Sequence, residues 1–422
     1  MNRAVLVAVL AVVLPTLAHA QTPDDQVPLG YVANANPRTM RAPEAGAGGG
    51  VLGHRSNGNV LGVDSLPNWS SYFYEPGLDS NGFLQFTWPY TMIGRSPLDR
   101  GDHDERRDDN GTTTIGAPIV PVNIDLRNFD GSPRFLNGIR LYIDATPVVA
   151  PALKSPVFDT THYTSSNRPT QYADAIQRAE FFHAAADDWH TILRPRVAPA
   201  RTMVLIRGTY SFALKSDGTL AYVLVDLNTF ANALFPPTAT DTGSIMGAAE
   251  NAGDVKTTDL STFLFSNTFL KDGLDCCILG FHSYDLEPGS AANGWREKRY
   301  VMNYASWISP GLFGDTFTDV TALSHEISEA FNDPFVNNAT PWWLSPNGLC
   351  QNNLEDGDVI EGLPNATFPI TMNGFTYHPQ NEALLQWFAG VTPSSAIYHA
   401  YSYPDITVLT TGATPMNPNC TP

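Results

Sequence analysis

ALSHEISEAFNDP, residues 322–334, holds one histidine, three carboxyl residues and no lysine or arginine. Thr318 or Asp319 can cap a helix here and Asn332-Asp333-Pro334 can stop it, which predicts a helix over about 319–332. At 100° per residue, Glu329 falls about 40° and Glu326 about 100° around from His325, while Leu323, Ile327 and Phe331 fall on the opposite side. One face is therefore apolar and the other carries the acidic set. His325 and Glu329 stack at i and i+4 and can share one ion. Glu326, one step around, can take a proton from an activated water. Zinc peptidases carry H-E-x-x-H on such a helix, and here Glu329 stands in place of the second histidine. Three carboxyls on about two turns repel one another unless a cation intervenes.

The segments ahead of this helix are mostly strand-like. APIVPVNIDL, IRLYIDA, TMVLIRG and LAYVLVDL are short, β-branched and bounded by turn residues, and CCILGFHSYD and RYVMNYASWI read as a further strand pair. Apolar positions Tyr172, Ile176, Ala179, Phe182, Ala186 and Trp189 recur at three or four residues and predict a helix of about five turns. Strands with one long helix and a second, site-bearing helix imply an α+β domain over residues 113–422 with a mixed sheet. Residues 21–112 are rich in Gly, Pro, Asn and Asp and read as a flexible extension, with local structure near FLQFTWPYTMIG. Arg100-Gly101-Asp102 lies in a charged segment that reads as a solvated loop.

The first twenty residues have the form of a secretory signal: Arg3, an apolar run from Ala4 to Leu14, then Ala18-His19-Ala20. The run is too short to span a bilayer, so the expected destination is outside the cell or the periplasm, with no integral membrane segment after signal removal. The formal charge of −18 argues against nucleic acid, whose phosphates nothing on the chain would neutralise. Cys276, Cys277, Cys350 and Cys420 are expected to form disulfides after export. The adjacent pair either closes on itself or sends each sulfur elsewhere, and bridges that tie Cys350 and Cys420 into the core are preferred. The four are too scattered for a cysteine zinc site.

ALSHEISEAFNDP followed by LEDGDVIEG resembles a family of exported, largely uncharacterised proteins with a Ser-His-Glu-x-x-Glu-Ala helix, distantly similar to the phosphate-induced, Exordium-like secreted proteins of plants. QYADAIQRAEFF, APIVPV and YSYPD resemble further segments, so the likeness spans about residues 113–408. The resemblance implies a zincin-like, metallopeptidase-type fold. It implies His325 and Glu329 as ligands, Glu326 as general base, and Glu355 or Asp358 as a third ligand. Gly357 would permit the tight turn of that ligand loop.

This set has more carboxylate than a thermolysin-type site, which lowers the Lewis acidity of the ion. Zinc is the first expectation, and manganese or calcium suits the harder donors. His378 and His399 are additional imidazole candidates. Tyr401, with Tyr377 and Tyr403, is a candidate donor to a developing oxyanion. Trp342 and Trp343 either line a pocket or belong to the core. The function these features imply is an exported, metal-dependent hydrolase of peptides or proteins. The alternative is a non-catalytic exported binding protein with a structural or vestigial cation site on the same scaffold.

Overall fold

The structure, a computed structural model, describes residues 25–35, 37–38, 59–75, 86–98, 111–273, 275–314, 317–390, 392–414 and 420. The secretory signal and the Arg100-Gly101-Asp102 loop lie outside them. A long strand, β1 (Thr112–Arg127), runs through the centre of the largest sheet. A short helix, α1 (Tyr172–Glu180), precedes β2 (His190–Val197) and β3 (Arg201–Ile206), which pair in parallel with the first and second halves of β1. On the other side of β1 comes β4 (Ser261–Ser266), also parallel. Beyond it lies β6 (Glu297–Phe313), parallel to β4 and antiparallel to the preceding strand, β5 (Gly280–Glu287). A second, four-stranded sheet is built from Tyr210–Leu214, Leu220–Asp226, Thr268–Asp272 and Asp275–Ile278.

The architecture is mixed α/β with a largely parallel central sheet, rather than the α+β arrangement the order of segments implies. Parallel pairing leaves no local signature, because its partners are joined by long crossovers. Both faces of the sheet are covered, as a parallel sheet requires. Val120, Val122, Phe263, Phe265, Met302 and Tyr304 point into one core. Ile115, Ala117, Ile119, Leu264, Val301 and Ala305 point into the other, where they meet Leu323, Ile327 and Phe331. Those last three lie on α2 (Thr321–Asn332), the helix of His325, which packs on β5, β6 and α1.

Two expectations change and a third is extended. The predicted five-turn helix ends at Glu180, and the chain is a strand again from His190. Asp174 on α1 accepts from the Thr191 N–H and contacts His190 Nδ1 at 2.7 Å, so pairing with β1 overrides the helical period. The helix of His325 starts on Val320, with no side-chain cap. Asp319 instead binds the backbone and ring of His378. Finally, the described part of 21–112 has the local structure expected near FLQFTWPYTMIG and more beyond it. Asn68–Glu75 and Phe86–Ile93 form a hairpin whose Trp69, Tyr90 and Met92 are buried with Trp343 and Trp387, and Val63–Asp64 pairs with β6.

Two disulfides are present, Cys276–Cys277 and Cys350–Cys420. The second closes a separation of 70 residues and anchors Cys350–Asn353, the strand that leads into Glu355–Asp358. The double variant Cys350→Ser/Cys420→Ser is expected to lose about 4 kcal/mol of stability by loop-closure entropy. Urea unfolding checks this, and a midpoint equal to wild type would contradict it.

Candidate metal centre

Every residue of α2 is buried, so its acidic face is not wet. That face meets two elements: β5 on one side and the 355–358 loop on the other. Glu329 lies between them.

On the loop side, His325 Nε2 is 2.9 Å from Glu329 Oε1 and 3.7 Å from Asp358 Oδ1. The Gly357 and Asp358 N–H groups donate to the same Glu329 oxygen at 3.2 and 3.3 Å, which orients the carboxylate. Gln351 holds the other oxygen of Asp358. Burial keeps the His325 imidazole below its ordinary range, against the opposing pull of Asp358, Gln380 and Asp356. It is neutral at pH 7, the state in which imidazole binds metals. These three side chains have ligand atoms close enough to hold one ion. Asp358 also lines a cleft of about 610 Å³, together with Arg38, Trp342, Gln351, Asn353 and Glu361 among others.

On the strand side, His282 of β5 points its Nδ1 at three carboxylates: Glu329 Oε2 at 3.3 Å, Glu326 Oε2 at 3.7 Å and Glu355 Oε2 at 3.8 Å. Its Nε2 lies 3.1 Å from the Asp333 carbonyl. That carbonyl can only accept, so the ring proton sits on Nε2 and the Nδ1 lone pair is free to bind. His282, Glu326 and Glu329 form a second set able to hold an ion. Burial, reinforced by the neighbouring carboxylates, drives Glu326 and Glu355 well above the usual carboxyl range. Burial also raises Glu329 to about 8, with the Glu355 carboxyl and the loop N–H groups pulling the other way. Asp356, behind them, is raised by burial to about 8 and accepts from Ser328 and Asn332 at 2.9 Å each. Without a cation these acids hold protons at neutral pH. A divalent ion takes the place of those protons.

The structure therefore brings together His325, Glu329 and Asp358, and sets Glu326 and Glu355 with His282. The remaining candidates lie elsewhere. His378 is bound to Asp319 at 2.7 Å. His399 is exposed, with Nδ1 2.7 Å from the Ser394 carbonyl. Tyr401 packs in the core and meets Thr392 at 3.2 Å. The Tyr377 and Tyr403 hydroxyls are engaged by Pro151 and by Thr164 and Ser165. Trp343 is core, whereas Trp342 lines the cleft. His282 is the residue sequence reasoning missed. Its signal is a histidine two residues after Gly280, in a strand that is mostly buried.

Gly357 has another use than a tight turn. Its φ is not positive, but a Cβ there would lie 2.4 Å from His325 Nδ1. Gly357→Ala should displace the ring, cost about 1–3 kcal/mol as overpacking does, and weaken metal uptake. Thermal unfolding with and without added metal checks both effects.

Fold and site together define an α/β chain with buried histidine–carboxylate sets fit for a divalent cation. Comparison with family models, with curated proteins and with solved structures finds no match to the chain.

Proposed function

We propose that the protein is an exported metal-dependent hydrolase of peptide bonds on a zincin-like scaffold. The observation that carries this reading is the buried His325–Glu329–Asp358 set, whose Asp358 lines the cleft. Three protein ligands leave a coordination position for water or substrate, as catalytic sites do and closed structural sites do not. A bound divalent ion would supply Lewis acidity, polarising a scissile carbonyl and making water more acidic. The chain's own residues do the rest. Asp358, fixed by Gln351, links the ion position to the cleft. The neutral His325 ring is locked between Gly357 and Glu329. Trp342 and the amides of Gln351 and Asn353 line the space where an extended peptide would lie. One histidine with two carboxylates suits zinc and admits the harder manganese.

The test is turnover on a broad peptide library by purified protein of measured metal content. Wild type should cleave, a chelator should stop it, and His325→Ala should lose both activity and the ion at the cleft. Cleavage undiminished by His325→Ala would overturn the reading. The near-complete burial of His325, Glu329 and Asp358 favours a second reading, a binding protein with a structural cation. Metal-dependent stability without any cleavage would decide for it.

A further inference from the structure

We infer that the centre holds two divalent cations, with Glu329 bridging them, and that the inner ion is bound by His282, Glu326, Glu329 and Glu355. The inference rests on the hydrolase reading only for the role of the outer ion. The inner site stands on its own geometry.

His282 Nδ1 has no hydrogen-bond partner, nor has either oxygen of Glu326, nor Glu355 Oε2. These side chains are fully buried. A buried polar atom without a partner is costly, and here Glu326 Oε2 and Glu355 Oε2 lie 3.7 and 3.8 Å from the unpartnered His282 Nδ1. No hydrogen-bonding arrangement relieves them without added protons, since imidazole Nδ1 and ionised carboxylates all accept. A cation relieves all of them at once. The spacing fits: donor atoms around a four-coordinate ion with bonds of about 2.0–2.1 Å lie about 3.3 Å apart, and the three carboxylate oxygens are 3.3, 3.7 and 3.8 Å from His282 Nδ1. The Asp333 carbonyl accepts from His282 Nε2–H at 3.1 Å, which fixes the ring and leaves Nδ1 to ligate. Asn353 donates to the other Glu355 oxygen. Gly280 leaves the space Glu326 occupies, since a Cβ there would lie 2.6 Å from Glu326 Oε1.

Glu329 joins the two sites. Its Oε2 faces His282, and its Oε1 faces His325 at 2.9 Å. Charge agrees with the count of ions. Glu326, Glu329, Glu355 and Asp358 carry four negative charges when ionised, and two divalent cations cancel them. Among the described residues, the ion pairs of Glu326, Glu329 and Glu355 are with histidines alone. Buried charge without compensation is not tolerated. The two sites also differ in kind. The inner set is buried and contributes nothing to the cleft lining, whereas the outer one adjoins the cleft through Asp358. Glu326 is thus a ligand of the inner ion rather than the base its place in the helix motif suggests.

The test counts ions on the full-length exported protein, saturated with Mn²⁺ and then desalted, by native mass spectrometry and elemental analysis. Wild type should retain two per chain, and its Mn²⁺ electron paramagnetic resonance should show an exchange-coupled pair. Glu326→Gln and His282→Ala should each retain one uncoupled ion, as should Asp358→Asn. Should His282→Ala fail to fold, the shape-preserving Glu326→Gln carries the count. One ion in wild type, or two still bound by Glu326→Gln with turnover alone abolished, would overturn the inference. Two coupled ions without peptide cleavage would overturn the hydrolase reading and leave this one standing.

Discussion

Stripping the metal at pH 8 should lower the melting temperature by about 5 °C, from about 4 kcal/mol of ligand stabilisation at a thousandfold excess over Kd and an unfolding entropy of about 2 cal/mol/K per residue. The same treatment at pH 5 should move it far less. The difference follows from the protons the acids hold. Glu329 titrates near 4.5 when unfolded and at about 8 in the metal-free fold, and Glu326 and Glu355 are shifted the same way. Between pH 4.5 and 8 the folded apoprotein therefore binds protons the unfolded chain has released. Stability from this source is complete below the lower value and is lost as pH rises through the upper one. Metal reverses the trend, because ions and protons compete for the same oxygens. At pH 5 an ion must displace protons; at pH 8 that competition has eased for Glu329. Burial lowers His325 from its ordinary range, so its own competition with protons lies on the acid side. Calorimetric titration in buffers of different ionisation enthalpy should show proton release on metal uptake. Equal shifts in melting temperature at both pH values would contradict this account.

The part of the site that lies on α2 was legible in the sequence because a helix has a fixed pitch. Glu329 at about 40° and Glu326 at about 100° from His325 already place Glu329 between the other two, the order in which it faces His325 and His282. The partner loop came through the family resemblance, which implies Glu355 or Asp358 as a third ligand; its acidic residues alone read equally as a surface turn. What the pattern does not encode is depth and long-range pairing. The polar arc reads like any solvated helix face, yet α2 is enclosed by β5, β6, α1 and the ligand loop. His282 reaches the site only because β5 turns back along β6 and α2 then crosses both. On its own strand it is an inward-facing residue like Phe281's neighbours in any core. For the same reason His378 and His399, downstream of the motif, lie outside the centre, while His282, upstream of it, belongs to it.

Glu329→Gln should cost more function than any other single change and leave the fold intact. The carboxylate has two occupations. Its Oε1 accepts the Gly357 and Asp358 N–H groups and faces His325, while its Oε2 faces His282. A glutamine can satisfy only half of this. Its carbonyl oxygen can replace Oε1 under the two loop N–H donors, which fixes the amide nitrogen toward His282, Glu326 and Glu355. An N–H₂ group cannot ligate a cation, but it can donate to those orphaned acceptors. The substitution therefore removes a carboxyl that ionises at about pH 8 and supplies fixed N–H donors where the metal-free wild type relies on carboxyl protons. Metal affinity should fall by more than the roughly 10–100-fold that second-shell changes cost, and hydrolysis should fall with it. The apoprotein, by contrast, should melt at or above the temperature of metal-free wild type at pH 8, where the wild-type carboxyl is losing its proton. Metal content, turnover and melting temperature on one preparation separate these effects. A variant that keeps both ions, or one that unfolds at neutral pH in the absence of metal while wild type does not, would show that Glu329 is a structural residue and not the bridge.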